Sequence, residues 1–409
     1  MSELGVACRS CGHQPLEPVL SLGEMPLVNA FAPPDANATE RRYPLETVRC
    51  PICTLVQITE TIPPEVLFRQ YAYFSSYSTT FLEHARRYAT RSIAALGLDR
   101  DSLVVEAASN DGYLLQYFGR AGVRALGIEP AENVAEVART NGVETIAAFL
   151  DEELASTLIG EHGTADLVIA NNVLAHVPDL HGFLRALSIL AGERGEISVE
   201  APYLIDLVDG LEFDTIYHEH VCYFSLTALK ALADVHGLVL REVEAIPVHG
   251  GSIRVTLAAR GEPDPSVREF LAAEEAWGVR TRRPYDRFAL RVAAVRAEVH
   301  ELVSELVAGG ASVAAYGAAA KGVVLANACG LDISLVAFVA DRNPTKQGRL
   351  LPGVGIPVRE PAALELERPD YCLLFAWNLA DEIIEQESGY ARLGGRFIVP
   401  LPSPRVVGA

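Results

Sequence analysis

One stretch constrains this chain more than any other: LVVEAASNDGYLLQ, residues 103–116. Apolar residues run into an acid, Glu106, and then into a polar turn that ends in Asn110, Asp111 and Gly112. A new apolar pattern opens at Tyr113, Leu114 and Leu115. This reads as a buried strand, a tight turn and the start of a helix. The first N–H groups of a helix have no partner inside it, and a glycine beside them lets a ligand come close to the main chain. ALGIEP, residues 125–130, is a second buried strand ending in Glu129, the position at which doubly wound folds hold ribose hydroxyls. The turn carries one glycine where the dinucleotide fingerprint GxGxxG needs three, so that fingerprint is absent.

The pattern continues as alternating strands and helices. A helix is expected over residues 132–141, stopped by Gly142, and TIAAFLDEELASTL gives a third strand and helix. DLVIANNVLAHVPDL is a fourth strand, whose end at Asn171 and Asn172 lies on the ligand side of a parallel sheet, and GEISVEAPYL is a fifth. This alternation predicts a doubly wound α/β domain. HGGSIRV reads as a turn into an edge strand, with its paired glycines marking a tight backbone approach. Residues 263–307 are charged with helical spacing and are expected to form long connecting helices. SVAAYGAAAKG, VAFVADRNPTKQG and YCLLFAWN then start a second α/β unit. Its glycine turn beside Lys321 is either a phosphate cradle or an ordinary turn with a solvent lysine.

Cys8-Arg9-Ser10-Cys11 and Cys50-Pro51-Ile52-Cys53 are two CxxC pairs with 38 residues between them. Two such knuckles can share one tetrahedral zinc ion, and four thiolates leave no open position for water, so Cys8, Cys11, Cys50 and Cys53 predict a structural metal. No βαβ pattern surrounds either pair, which argues against a thioredoxin-like redox site. A metal would staple a segment too thin in core to fold alone. The chain therefore divides into residues 1–75, 76–258 and 259–409: a zinc-binding domain and two α/β domains.

With 34 basic against 53 acidic side chains the net charge is -19, which disfavours nucleic-acid binding but leaves room for an anionic small molecule held locally. No run of 18 apolar residues occurs, the N-terminus lacks signal-peptide character, and seven cysteines suit a reducing compartment. The expectation is a soluble cytoplasmic monomer without membrane partners.

Chemistry concentrates in Tyr217-His218-Glu219-His220. An HxH pair without a distant third ligand is a weak metal site, whereas imidazole with a carboxylate neighbour suits acid–base work. If the segment is extended, Tyr217 and Glu219 face one side and His218 and His220 the other; a turn would bring a histidine to the phenol. His176, just past the fourth strand, can point into the same cleft. Tyr71, Tyr73 and Tyr77 near the first domain junction are packing groups or, for at least one, part of a substrate pocket.

EAASNDGYLL resembles the first motif of Rossmann-like methyltransferases that use S-adenosylmethionine (SAM). Taken with the paired CxxC knuckles, NNVLAHVPDL, YHEHVCYFS, HGGSIRV, YGAAAKG and DRNPTKQG, the chain from Cys8 to about Asn378 resembles the sugar C-methyltransferases of antibiotic biosynthesis. The resemblance implies a zinc-binding N-terminal domain, a central Rossmann-like SAM domain and a C-terminal Rossmann-like α/β domain that helps bind a nucleotide sugar. It implies SAM as methyl donor, with Glu106 at its methionine end, Glu129 at the ribose, Phe149 and Leu150 beside adenine, and Asn110, Asp111, Gly112 and Asn171 around it. The implied substrate is a dTDP-linked 4-keto-deoxysugar methylated at C3, bound with help from Tyr71, Tyr217, Lys321 and Asn378. By position Tyr71, His176, Tyr217, Glu219 and His220 match the family's active-site set, with His220 as base, Glu219 steadying it, and Tyr217 or His176 donating to O4. Where relatives carry an aromatic-serine pair this chain has Val221-Cys222, which leaves the precise sugar open. An O- or N-methyltransferase of a related metabolite, and a non-catalytic zinc-stapled binding protein, are the competing readings.

Overall fold

The computed structural model describes residues 5–35, 40–69, 74–247 and 250–408. Tyr71, Tyr73 and His249 lie outside them. The described residues form three sheets. The first is antiparallel, in the order Glu17–Pro26, Arg42–Arg49, Val56–Ile58 and Cys222–Tyr223, so its last strand comes from the segment just after the YHEH turn.

The second sheet has seven strands in the order Val239–Ile246, Ser252–Ala258, Glu196–Pro202, Leu167–Asn171, Leu103–Ala107, Arg124–Ile128 and Glu144–Ile146. Ser252–Ala258 runs antiparallel to both neighbours, and the other pairings are parallel. All five residues of Leu103–Ala107 are buried, as a strand covered by helices on both faces must be. The chain order reverses between Leu103–Ala107 and Leu167–Asn171, which opens a crevice at their carboxyl ends. The helix Thr79–Leu96 is capped by Ser78 Oγ, which accepts from Phe81 N at 3.2 Å, and is ended by Gly97 in the left-handed conformation. Its buried stripe of Phe81, Ala85, Tyr88 and Ala89 follows helical spacing.

The sequence expectation of an edge strand at HGGSIRV is corrected. Ser252–Ala258 is an interior strand, and the edge is Val239–Ile246, whose Arg241, Glu242 and Glu244 suit a solvent border. The paired glycines do mark a close approach. A Cβ on Gly250 would lie 1.9 Å from a Glu212 carboxylate oxygen, and one on Gly251 would lie 2.2 Å from Asp206.

The helices Pro265–Trp277 and Arg283–Ala308 lead to the third sheet, ordered Val358–Arg359, Val339–Ala340, Val313–Tyr316, Tyr371–Leu374, Arg396–Val399 and Arg405–Val407. Only its last pairing is antiparallel. The N-terminal segment also reaches this domain: Glu40 accepts from Gly353 N at 2.8 Å, and Arg42 donates to the Gly353 carbonyl at 2.6 Å. Loops at the carboxyl ends of both α/β sheets line one cavity of about 730 Å³.

Candidate active site

One end of the cavity is built from the turn after Leu103–Ala107. Ala108, Asn110 and Gly112 all have positive φ, at 54°, 50° and 78°, so the turn is held in conformations that non-glycine residues resist. Its neighbours hold it there. Glu129 accepts from Asn110 N and from Ala131 N, each at 2.9 Å, leaving lone pairs for further donors. Asn110 Oδ1 accepts from Ser75 N at 2.9 Å and Asp111 Oδ2 from Ser76 N at 3.1 Å, which ties the segment before helix Thr79–Leu96 across the turn.

Asn110, Glu129, Phe149, Leu150 and Asn171 line the cavity, while Glu106, Asp111 and Gly112 do not. Glu106 is fully buried, and burial, against the pull of a hydrogen bond from Tyr113, holds its carboxyl well above the usual range. Asp111 is turned to Ser76. At Gly112 packing requires a glycine, because a Cβ there would meet Val143 Cγ2 at 2.8 Å.

The other end is the YHEH segment, which is a turn and not an extended strand: His220 N donates to the Tyr217 carbonyl at 2.9 Å. Tyr217 and His220 therefore share a face, with Tyr217 Oη 3.0 Å from His220 Nε2. His220 Nδ1 lies 2.9 Å from the Thr215 carbonyl, an acceptor only, so Nδ1 carries the proton and the Nε2 lone pair accepts from the Tyr217 hydroxyl. Sequence reasoning gave the role of steadying His220 to Glu219. In the structure it is the Thr215 carbonyl that holds Nδ1, and Glu219 Oε1 accepts from Asn29 Nδ2 at 2.6 Å.

His176 is tied to the same turn, its Nδ1 2.7 Å from the Glu219 carbonyl and its ring 4.7 Å from that of His220. Burial pushes His176 down to about 4, against the pull of the Glu219 and Asn172 carbonyls, so it is neutral near pH 7. His218 points away, its Nε2 3.2 Å from the Pro44 carbonyl and its ring against Tyr43.

The third contribution comes from the C-terminal domain. Lys321, at the start of helix Ala320–Ala328, and Asn378 line the cavity. Lys321 Nζ is 3.5 Å from Glu212 Oε2 and 5.1 Å from the Trp377 ring centre. Burial raises the Glu212 carboxyl to about 7, with Lys321 working against the rise. Asn29 and Lys346 also line the cavity, and the sequence reading missed both. Asn29 sits in a run rich in proline and small polar residues that carries no motif, and Lys346 in DRNPTKQG had a motif but no role. Thr215 acts through its backbone and so left no side-chain signal.

In the N-terminal domain the sulfur atoms of Cys8, Cys11, Cys50 and Cys53 lie within 4.8 Å of one another, and the Cys8–Cys53 and Cys11–Cys50 pairs are 3.4 Å apart. A zinc ion with bonds of about 2.3 Å needs sulfur atoms roughly 3.8 Å apart, so the cluster fits a tetrahedral ion with little adjustment.

Three family models match the chain in succession: "Putative zinc binding domain" at residues 8–68, "Methyltransferase domain" at 81–243 and "C-methyltransferase C-terminal domain" at 247–402. Over 406 residues the chain is 43% identical to C-methyltransferase NovU of Streptomyces niveus, covering 98% of this chain and 97% of that one. This chain belongs to the C-methyltransferase family. A shorter similarity, 33% over 111 residues, links 27% of it to 41% of a ubiquinone biosynthesis O-methyltransferase of Methylocella silvestris. Solved structures similar to part of the chain include magnesium protoporphyrin IX methyltransferase from Synechocystis with bound SAM, at 15% identity and TM-score 0.34, covering 44% of this chain and 82% of that one. The PH0226 protein of Pyrococcus horikoshii is another, at 14% identity and TM-score 0.37, covering 49% and 97%.

This C-methyltransferase depends on SAM as methyl donor and carries structural zinc on its four cysteines. The residues at this end of the cavity fit SAM: the Glu129 carboxylate has lone pairs left for hydroxyl donors, Phe149 and Leu150 are apolar, and the buried Asn171 Oδ1 has no partner among the described residues. No helix among the described residues is long and apolar enough to cross a membrane.

Proposed function

We propose that the enzyme methylates C3 of a dTDP-linked 4-keto-deoxysugar through an enolate. The observation that carries this reading is the Tyr217–His220 pair, 3.0 Å apart, with the His220 proton fixed on Nδ1 and both side chains on the cavity that also contains Asn110 and Glu129. A carbon beside a ketone is acidic enough for enzymatic deprotonation when the oxygen charge is stabilised as it develops. His220 Nε2 takes the C3 proton. The Tyr217 hydroxyl, which donates to Nε2 in the free enzyme, turns to donate to O4 when the sugar binds, and so frees the Nε2 lone pair as the enolate forms.

Tyr217 suits that role better than His176, which is neutral and keeps its Nδ1 proton on the Glu219 carbonyl. His176 then orients the turn. SAM supplies an electrophilic methyl to the carbanion. Glu129, Asn110, Asn171, Phe149 and Leu150 hold the donor, while Lys321 and Asn378 take the nucleotide side of the substrate. Tyr71, which lies outside the described residues, is kept as a substrate contact on the family resemblance alone. The three domains around one cavity exclude water from the enolate.

A 4-keto group acidifies C5 as well as C3, and the test separates them. The enzyme is incubated with a dTDP-4-keto-deoxysugar in deuterated water without methyl donor, and exchange is followed by proton NMR. Deuterium entering C3 and lost in His220→Ala supports the proposal. Exchange at C5 alone moves the site of methylation, and exchange that persists in His220→Ala removes His220 as base. A complete reaction yielding an O-methyl signal would instead favour transfer to a hydroxyl.

A further inference from the structure

The base is held by a backbone carbonyl, and that carbonyl sits in a short turn, Phe213–Thr215, that is gripped from the C-terminal domain. Asp214 in its middle is fully buried. One of its carboxylate oxygens accepts from Trp377 Nε1 at 2.6 Å, and the other has no hydrogen-bond partner among the described residues. A buried carboxylate with so few partners is costly unless a donor or a cation compensates it. Here the donor is the indole. The nearby cation is Lys321, which faces Glu212 on one side and the Trp377 ring on the other. Trp377 lies between Ala376 and Asn378, both on the cavity wall, so it joins the substrate side of the C-terminal domain to the base.

We propose that Trp377 is a positioning residue for the methylation reaction: its indole N–H holds Asp214, Asp214 holds the Phe213–Thr215 turn, and the Thr215 carbonyl fixes the proton of His220 on Nδ1. This inference rests on the reading of His220 as the base. It assigns the C-terminal domain a share in proton abstraction in addition to binding. Trp377 itself touches neither the reacting carbon nor the base.

The test uses the full-length zinc-loaded enzyme and compares Trp377→Phe, which keeps an aromatic ring but lacks the N–H, with wild type. The expected result is a ~10- to 100-fold fall in kcat with KM for the nucleotide sugar within about threefold, as for a base displaced by a fraction of an ångström. SAM affinity should stay within about twofold, since no cofactor contact changes. The acid limb of C3 solvent exchange should move to lower pH, because an acceptor on Nδ1–H favours the protonated ring.

A second pair reads the same contact from its partner, should Trp377→Phe fold poorly: Asp214→Asn, which can still accept from the indole, should retain most of kcat, and Asp214→Ala should lose it. Wild-type kcat and an unshifted pH profile in Trp377→Phe, with SAM bound normally, would overturn the inference. So would equal kcat in Asp214→Asn and Asp214→Ala. Failure of the underlying reading looks different, since exchange would then survive in His220→Ala.

Discussion

Replacing Arg254 by Leu tests the network behind the cavity wall. Arg254 and Glu200 are ion-paired on adjacent strands, with side chains 5% and 1% exposed. His84 Nε2 lies 3.1 Å from the same carboxylate, and the other oxygen accepts from Asn172 Nδ2 at 3.3 Å, so Glu200 also fixes a residue of the cavity wall. Burial pushes the Glu200 carboxyl up, but the His84 hydrogen bond and the Arg254 charge outweigh it and leave it at about 2, from an ordinary 4.5. A drop of that size corresponds to ~3 kcal/mol. Because the folded value lies below the unfolded one, this stability is complete above pH 4.5 and disappears as pH falls through 2. At pH 7 Arg254→Leu leaves a buried carboxylate without its cation and should cost about 3–5 kcal/mol. Adding Glu200→Gln removes the stranded charge, so the double variant should be more stable than the two single losses summed, by about 2–3 kcal/mol. A chain with three separate sheets does not report one strand pair through a single melting transition, so the assay is native-state hydrogen exchange of amides in Glu196–Pro202 and Ser252–Ala258. Unchanged protection in Arg254→Leu, or strict additivity in the double variant, would refute the argument.

Chelating zinc should unfold the N-terminal sheet while the two α/β sheets keep their melting, and metal analysis should find one zinc per chain that drops in Cys11→Ser. Gly112→Ala should cost ~2–5 kcal/mol from its left-handed backbone and its contact with Val143. Thermal unfolding checks this, and SAM titration of the folded fraction should change little because Gly112 is off the cavity wall. Tyr217→Phe removes the hydroxyl that faces His220 and should lower kcat by ~100-fold, with a much smaller change in KM. Comparable losses in both parameters would mean that Tyr217 acts in binding.

Local features of the chain were legible because they depend on neighbours in sequence. The two CxxC knuckles, and Gly142 with its positive φ just past helix Glu132–Thr140, each follow from a few adjacent residues. Hydrophobic runs marked the strands of the central sheet, and Glu129 at the end of Arg124–Ile128 marked the edge that lines the cavity. The position of Ser252–Ala258 was not legible in this way, since edge and interior differ by which strand pairs on the far side.

By itself, then, the sequence determined the elements, the zinc ligands and the kind of chemistry that Tyr217, Glu219 and His220 can do. Tertiary structure alone decided how those groups are held. The turn that brings His220 to Tyr217, the Thr215 carbonyl on Nδ1, Asn29 on Glu219 and Trp377 on Asp214 join residues from three domains, some through backbone atoms. A proton's place on an imidazole is set by the nearest acceptor in space, and no spacing along the chain encodes that distance.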